Sequence, residues 1–330
     1  MSNLVDTAER PSTAARVSAR SVQLCLGVFW LGDGLLQIQP KMFGPGFAHS
    51  VILPAAQMQP GLVSGPIRQM AHLISAQPAL MDAVFAGIQI LIGVGLLIRE
   101  TVKPALVLSF VWALGVWALG EGFGMLFTGM ASPLTGAPGA ALLYVAIGIL
   151  VWPRTGRPAI TGSAAAEGPL GEWGGRAIWA FVWSGMGILW LLPANRAGGS
   201  ISSAISNSVT GEPGWLAHVQ LAVAHALGPN GSSVAVACAL LSFVIGLGPM
   251  VTRHTTIFLV AGAALALDYW MFGEAFGGVF TGIGTDPNTG PLLVLLALAV
   301  YPNRAHSESI AKVSSPQRLT RPGIGDCSTT

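Results

Sequence analysis

Four carboxylates stand inside or at the ends of apolar segments, where hydrocarbon is expected. Asp33 lies in the run LGVFWLGDGLLQIQ, with Gln37 four residues on and therefore on the same helix face. Asp268 lies in ALALDYW, and Asp33 and Asp268 both fall about five residues before the outer end of their segments, so the two are expected to flank one outward-opening cavity. Glu121 and Glu274 follow Trp117 and Trp270 by one helical turn and open the segments GEGFGMLFTG and GEAFGGVFTG. An ionisable group in a bilayer costs roughly 2.5–3.5 kcal/mol on insertion scales, so each marks a place for a proton, a cation or a polar head group. The competing reading is packing alone. In that case each aspartate is neutral or bonded to a neighbouring helix, and each glutamate accepts hydrogen bonds from the N–H groups of its Gly-rich loop, which is re-entrant and buried against protein. Trp117 and Trp270 read first as interfacial belt residues and second as ligand platforms. Asp82, at the outer mouth of its segment, reads as an interfacial residue.

Imidazole is the commonest metal side-chain ligand. His72 and His225 each follow an alanine in corresponding amphipathic stretches, and with Glu121 and Glu274 they would complete a symmetric copper or zinc site. The favoured alternative is a hydrogen-bonded histidine on a stretch lying flat at the membrane surface. His218 is two turns from His225, too far for a compact chelate. The three cysteines (Cys25, Cys238, Cys327) form neither a CxxC pair nor a CxxCH haem-attachment motif. No GxSxG elbow, Walker loop, HExxH or dinucleotide fingerprint occurs, which argues against a hydrolase, an ATPase or an NAD enzyme.

The elements that must position these groups follow from composition. Of 330 residues 52% are hydrophobic and 9% charged, with a mean hydropathy of +0.64. A soluble chain is about 25% charged, so a soluble enzyme, a disordered chain and a nucleic-acid-binding domain are excluded. A helix across a ~30 Å hydrocarbon core takes roughly 20 apolar residues. Eight segments qualify: 21–38, 80–98, 104–120, 137–152, 177–193, 232–250, 256–272 and 290–302. The expected class is therefore all-α, a polytopic membrane protein with eight transmembrane helices. The first segment is not read as a cleaved signal peptide, because no small-residue cleavage site follows it.

Lys and Arg stay on the cytoplasmic side. With the N-terminus inside, eight spans place 13 of the 16 basic residues in the cytoplasm and only Lys41, Arg68 and Arg196 outside. The expected location is the cell membrane with both termini cytoplasmic. Residues 1–19 and 305–330 read as cytoplasmic tails and 155–176 as a cytoplasmic linker, all rich in Ser, Thr, Ala, Gly and Pro.

Shifting the chain by 153 positions superposes it on itself. Trp30 falls on Trp183, Gly34 on Gly187, Pro60-Gly61 on Pro213-Gly214, Ala71-His72 on Ala224-His225, and Gly93 and Gly95 on Gly246 and Gly248. The segment from Trp117 to Gly129 meets that from Trp270 to Gly282 at eight identities, and Pro138 falls on Pro291. The expected units are 20–154 and 177–304. Each holds four spans, an even number, which makes the copies parallel rather than inverted.

A Gly-bearing first helix, a long loop, a helix pair joined by a short basic turn (GVGLLIRETVKPALVL) and an apolar fourth helix ending in Trp-Pro-Arg resemble the DoxX/DoxD-like family of membrane proteins, here in tandem. The segments FWLGDGLLQIQPKMF and GEGFGMLFTG are also similar to those of uncharacterised actinobacterial integral membrane proteins. The family resemblance implies a redox-associated role, in which a quinone is bound or an oxidoreductase partnered, with no catalytic residue carried across. From the residues alone two other functions stand beside it: a transporter of a small solute or ion with a polar site between the repeats, and an assembly or scaffold protein without chemistry. The expected partners are the lipid bilayer and another membrane protein or oxidoreductase, not nucleic acid. A quinone is the cofactor the first reading would take.

Overall fold

The computed structural model describes residues 16–44, 46–154 and 162–303. Most of the two expected tails, the first part of the expected linker, and Arg10, Arg157, Arg304, Lys312, Arg318, Arg321 and Cys327 lie outside the described residues. Those described are all-helical, with no strand among them. The helices are α1 (Ala19–Gln37), α2 (Gly61–Ala76), α3 (Pro78–Leu97), α4 (Val102–Leu119), α5 (Ala140–Leu150) and α6 (Gly171–Trp190), followed by α7 (Pro193–Arg196), α8 (Ser200–Ser208), α9 (Gly214–Leu227), α10 (Gly231–Val251), α11 (Thr255–Phe272) and α12 (Thr289–Val300). Four stretches, Pro78–Leu97, Arg99–Leu119, Gly231–Val251 and Thr255–Phe272, are long and apolar enough to cross a membrane. Their outward faces carry exposed Leu91, Val107, Leu240, Val244 and Val260, the surface that lipid would cover.

Glycine sets the closest helix approaches. A Cβ on Gly93 of α3 would stand 2.9 Å from the Gly27 carbonyl oxygen of α1, so only glycine lets these backbones meet. Gly246 of α10 lies against Ala180 and Trp183 of α6 in the same manner. At the other end of the α1–α3 pair, Arg20 donates to the carbonyls of Leu96 (2.9 Å) and Leu97 (2.6 Å) and so caps the C-terminus of α3. Arg176 reaches the Pro249 carbonyl near the end of α10 at 3.3 Å. The helices α5 and α12 pack on each other at the centre, with Leu143, Ile147, Leu292 and Leu296 fully buried.

Three expected segments change their bounds. The apolar segments 137–152 and 290–302 form only the helices α5 and α12, about 16 and 18 Å long at 1.5 Å per residue. A loop takes the first three residues of the 137–152 segment, α12 starts at Thr289, and Pro153 and Pro302 stand beyond the helix ends. Helix α6 begins at Gly171 rather than 177, and Ala164–Glu167 just before it is a helical turn with Ala164 and Ala165 buried. Glu167 accepts from Arg16 (2.8 Å) and from the Ala19 N–H (3.1 Å), an acidic cap on the start of α1. Asn303 exchanges hydrogen bonds with the Val17 backbone at 3.0 and 2.7 Å. The first helix, the second part of the linker and the end of the last helix are thereby fastened together.

Candidate functional site

Along α1 the residues Trp30, Asp33 and Gln37 recur at helical spacing, and along α3 Asp82, Phe85 and Gln89 do the same, so each set occupies one face. The two faces meet. Gln37 donates its amide to Asp82, and both are fully enclosed. Asp82, near the start of α3, is thus enclosed and bonded to α1, because α3 starts at Pro78 and already buries its second turn.

Tyr144, on α5, donates its hydroxyl hydrogen to Asp33 Oδ2 at 2.6 Å, and its ring lies 4.3 Å from that of Trp30. The Trp30 indole donates to Ser109 Oγ of α4 at 3.0 Å. The pair Asp33–Tyr144 forms part of the wall of a cavity of about 600 Å³, bounded by α1, α2, α3, α4 and α5. Glu121, Gln89 and Trp112 line it as well, and Asp286 and Thr285 reach it from the loop before α12. Among these side chains Asp33 Oδ1, Glu121 Oε2, Gln89 Oε1 and Trp112 Nε1 are buried without a protein hydrogen-bond partner. These four buried atoms on the cavity's lining residues are three acceptors and one N–H donor. Among the described residues its lining includes no Lys, Arg or His.

Glu121 also holds the fold. Its Oε1 accepts the Ala141 N–H at 3.0 Å, one of the open donors at the start of α5. Trp117 fixes the same corner by donating to the Pro138 carbonyl at 2.8 Å. In the second half Glu274 accepts from the Gly290 N–H at 3.1 Å and from the Thr289 hydroxyl, and Trp270 donates to the Pro287 carbonyl at 2.6 Å. The partner of Pro138 is thus Pro287, not Pro291, and the four-residue shortening of the second half falls in the loop before α12.

Between each glutamate and its proline the chain makes a left-handed turn. Gly122, Phe123, Gly124 and Met125 have φ of 54–62°, and Ala275, Phe276, Gly277 and Gly278 have φ of 47–74°. Such a conformation costs an L-residue roughly 1–2 kcal/mol. Phe123 is held there edge-on between Trp117 (5.0 Å) and Phe127 (5.4 Å), and Phe276 between Trp270 (4.6 Å) and Phe280 (6.3 Å). Both tryptophans therefore serve to pin the loop.

Residues on the second-half wall differ in kind. Met186 stands where the first half has Asp33, Trp190 where it has Gln37, and Tyr269 where it has Val116. By the shorter offset after the loop, Leu293 stands where Tyr144 does. All four are buried, and the Trp190 indole donates to the Tyr269 hydroxyl at 3.0 Å. At three of these positions, those of Asp33, Gln37 and Tyr144, an apolar or aromatic group in the second half stands where the first has a polar one.

Not every expected site residue joins this cavity. Asp268 is exposed on α11 and does not line it, because Tyr269 takes the inward position; the additional carboxyl is Asp286. His72 and His225 are exposed on α2 and α9, and no group of three His, Cys, Asp or Glu among the described residues is placed to hold a metal. Glu274 caps α12 and is likewise outside the cavity lining. Tyr144, Gln89, Trp112 and Asp286 were missed. Gln89 is the single polar side chain between Asp82 and Arg99, a signal that was there to be read. Comparison with known protein families, curated proteins and solved structures finds no match for the chain.

Proposed function

We propose that this is an eight-span membrane protein of two parallel four-helix repeats with both termini cytoplasmic, whose first repeat binds the hydroxyl-bearing head of a lipid-soluble quinol. Glycine contacts and glutamate caps recurring near 153 positions apart support the repeat. In this reading α1 and α6 supply two further spans, and α5 and α12 are completed across the bilayer by their Gly-rich loops. The basic residues at the Arg20 end and the carboxylates at the opposite end support the orientation.

One observation carries the ligand class: Asp33 Oδ1, Glu121 Oε2 and Gln89 Oε1, all on residues that line one cavity, are buried acceptors without a protein partner, beside the unpartnered indole N–H of Trp112. A ligand satisfying them offers mainly O–H groups on a flat apolar body, as a quinol does, and Trp30, Phe85 and Tyr144 give it aromatic walls. Oxidation of a quinol releases two protons and two electrons. Asp33 and Glu121 are placed to take the protons, and the electrons pass to the redox centre of a partner oxidoreductase. The DoxX/DoxD-like likeness of the sequence points the same way. The test is quantitative extraction of quinone from the full chain purified in mild detergent. Near-stoichiometric quinone in the wild type, lost in Asp33→Asn and Glu121→Gln and kept in Glu274→Gln, is the expected pattern.

A second reading has its own observation: three carboxyls and five aromatic rings line the cavity, and no basic side chain does among the described residues. That set suits an organic cation, as in a solute transporter. Saturable uptake of a quaternary ammonium ion into proteoliposomes, dependent on Asp33, would favour it over the quinol.

A further inference from the structure

The cavity touches the surface at two places of different chemistry. Leu108, Val111, Gly115 and Leu119 follow one another at intervals of three and four, forming one stripe of α4, and all four line the cavity. Val111 is 67% exposed, Gly115 is exposed too, and a Cβ on Gly115 would meet nothing within 4 Å. At 1.5 Å per residue these two lie about 6 and 12 Å below the outer end of α4. That depth is within hydrocarbon. At their inner ends α3 and α4 are closed on each other, with the Gly95 position against Ala105, and the cavity takes up the space between their outer halves. The second place is the outer loops, where exposed Thr135 lines the cavity beside half-buried Thr285 and Asp286.

We infer that the site has two doors: an apolar window at Gly115 and Val111, through which the head of a membrane-dissolved ligand enters and its alkyl or isoprenoid tail remains in the bilayer, and a polar mouth at Thr135 and Asp286 that connects the head to water. This rests on the quinol reading and adds the route and the need for a tail. The window is bordered by apolar side chains and a residue without a side chain, which suits a hydrocarbon chain. The mouth offers hydroxyl and carboxyl groups, which suit protons and water. In the second half Asp268 stands where Gly115 does, so an apolar window has no counterpart there.

The two doors are separated by blocking each in turn in the full chain in lipid nanodiscs. Gly115→Phe and, independently, Val111→Trp fill the window. Each is expected to slow association of a long-tailed menaquinol at least tenfold while changing the association rate of a tail-less, water-soluble naphthoquinol less than twofold. Thr135→Trp is expected to do the reverse. Equal slowing of both ligands by the window variants, or slowing of neither, overturns the lateral route. If the wild type binds neither ligand, the quinol reading itself fails, an outcome distinct from the loss of the route. Native-like thermal unfolding of all three variants is the control that they fold.

Discussion

Tyr144 and Asp33 are 111 positions apart in the chain, yet the phenol donates to the carboxyl at 2.6 Å, and the second oxygen of this cavity-lining carboxyl is buried without a protein partner. The contact ties the fourth helix of the first half to its first helix and orients the group that would meet a ligand. A buried donor removed from a carboxyl costs about 1–3 kcal/mol. Tyr144→Phe is accordingly expected to lower the thermal unfolding midpoint in detergent and to weaken quinol binding at least tenfold. Unchanged binding with lowered stability would reduce the contact to packing alone.

The second half makes the opposite prediction. Trp190 is 1% exposed and bonded to Tyr269, and truncating a buried tryptophan costs about 3–5 kcal/mol. Trp190→Ala should destabilise the protein strongly and leave the ligand affinity of the remaining folded fraction as it was. Competition binding after a thermal pre-clearing step reads the two effects separately.

Gly93 supplies a test of the helix contacts. Its added Cβ would press 2.7 Å from Leu31 Cγ as well as on the Gly27 carbonyl. Overpacking of this kind costs about 1–3 kcal/mol. Gly93→Val should therefore reduce the folded yield, whereas Gly87→Val, which meets open space, should not.

Much of this arrangement is legible in the sequence, and particular residues show why the rest is not. The apolar stretches at 80–98, 104–120, 232–250 and 256–272 coincide within a few residues with α3, α4, α10 and α11, because a continuous apolar run leaves a chain little choice but helix. Asp33, Gln37 and Glu121 stood out because a polar group in such a run is costly. Asp286 did not, because it sits in a loop where an aspartate is ordinary, and only the packing of α12 against α5 brings it to the first-half cavity. Tyr144 was hidden by its own amphipathic nature, since a tyrosine in an apolar helix raises no objection. Asp268 misled because depth along a helix fixes height and not direction, and one residue of rotation puts Tyr269 inside in its place.

The most direct measurement is the quenching of tryptophan fluorescence by menaquinol in nanodiscs, since Trp30 and Trp112 form walls of the cavity. The cavity assignment predicts saturable quenching in the wild type, an affinity at least tenfold weaker in Asp33→Asn, and loss of most of the quenching amplitude in Trp112→Phe. Equal, unsaturated quenching in all three proteins would contradict it.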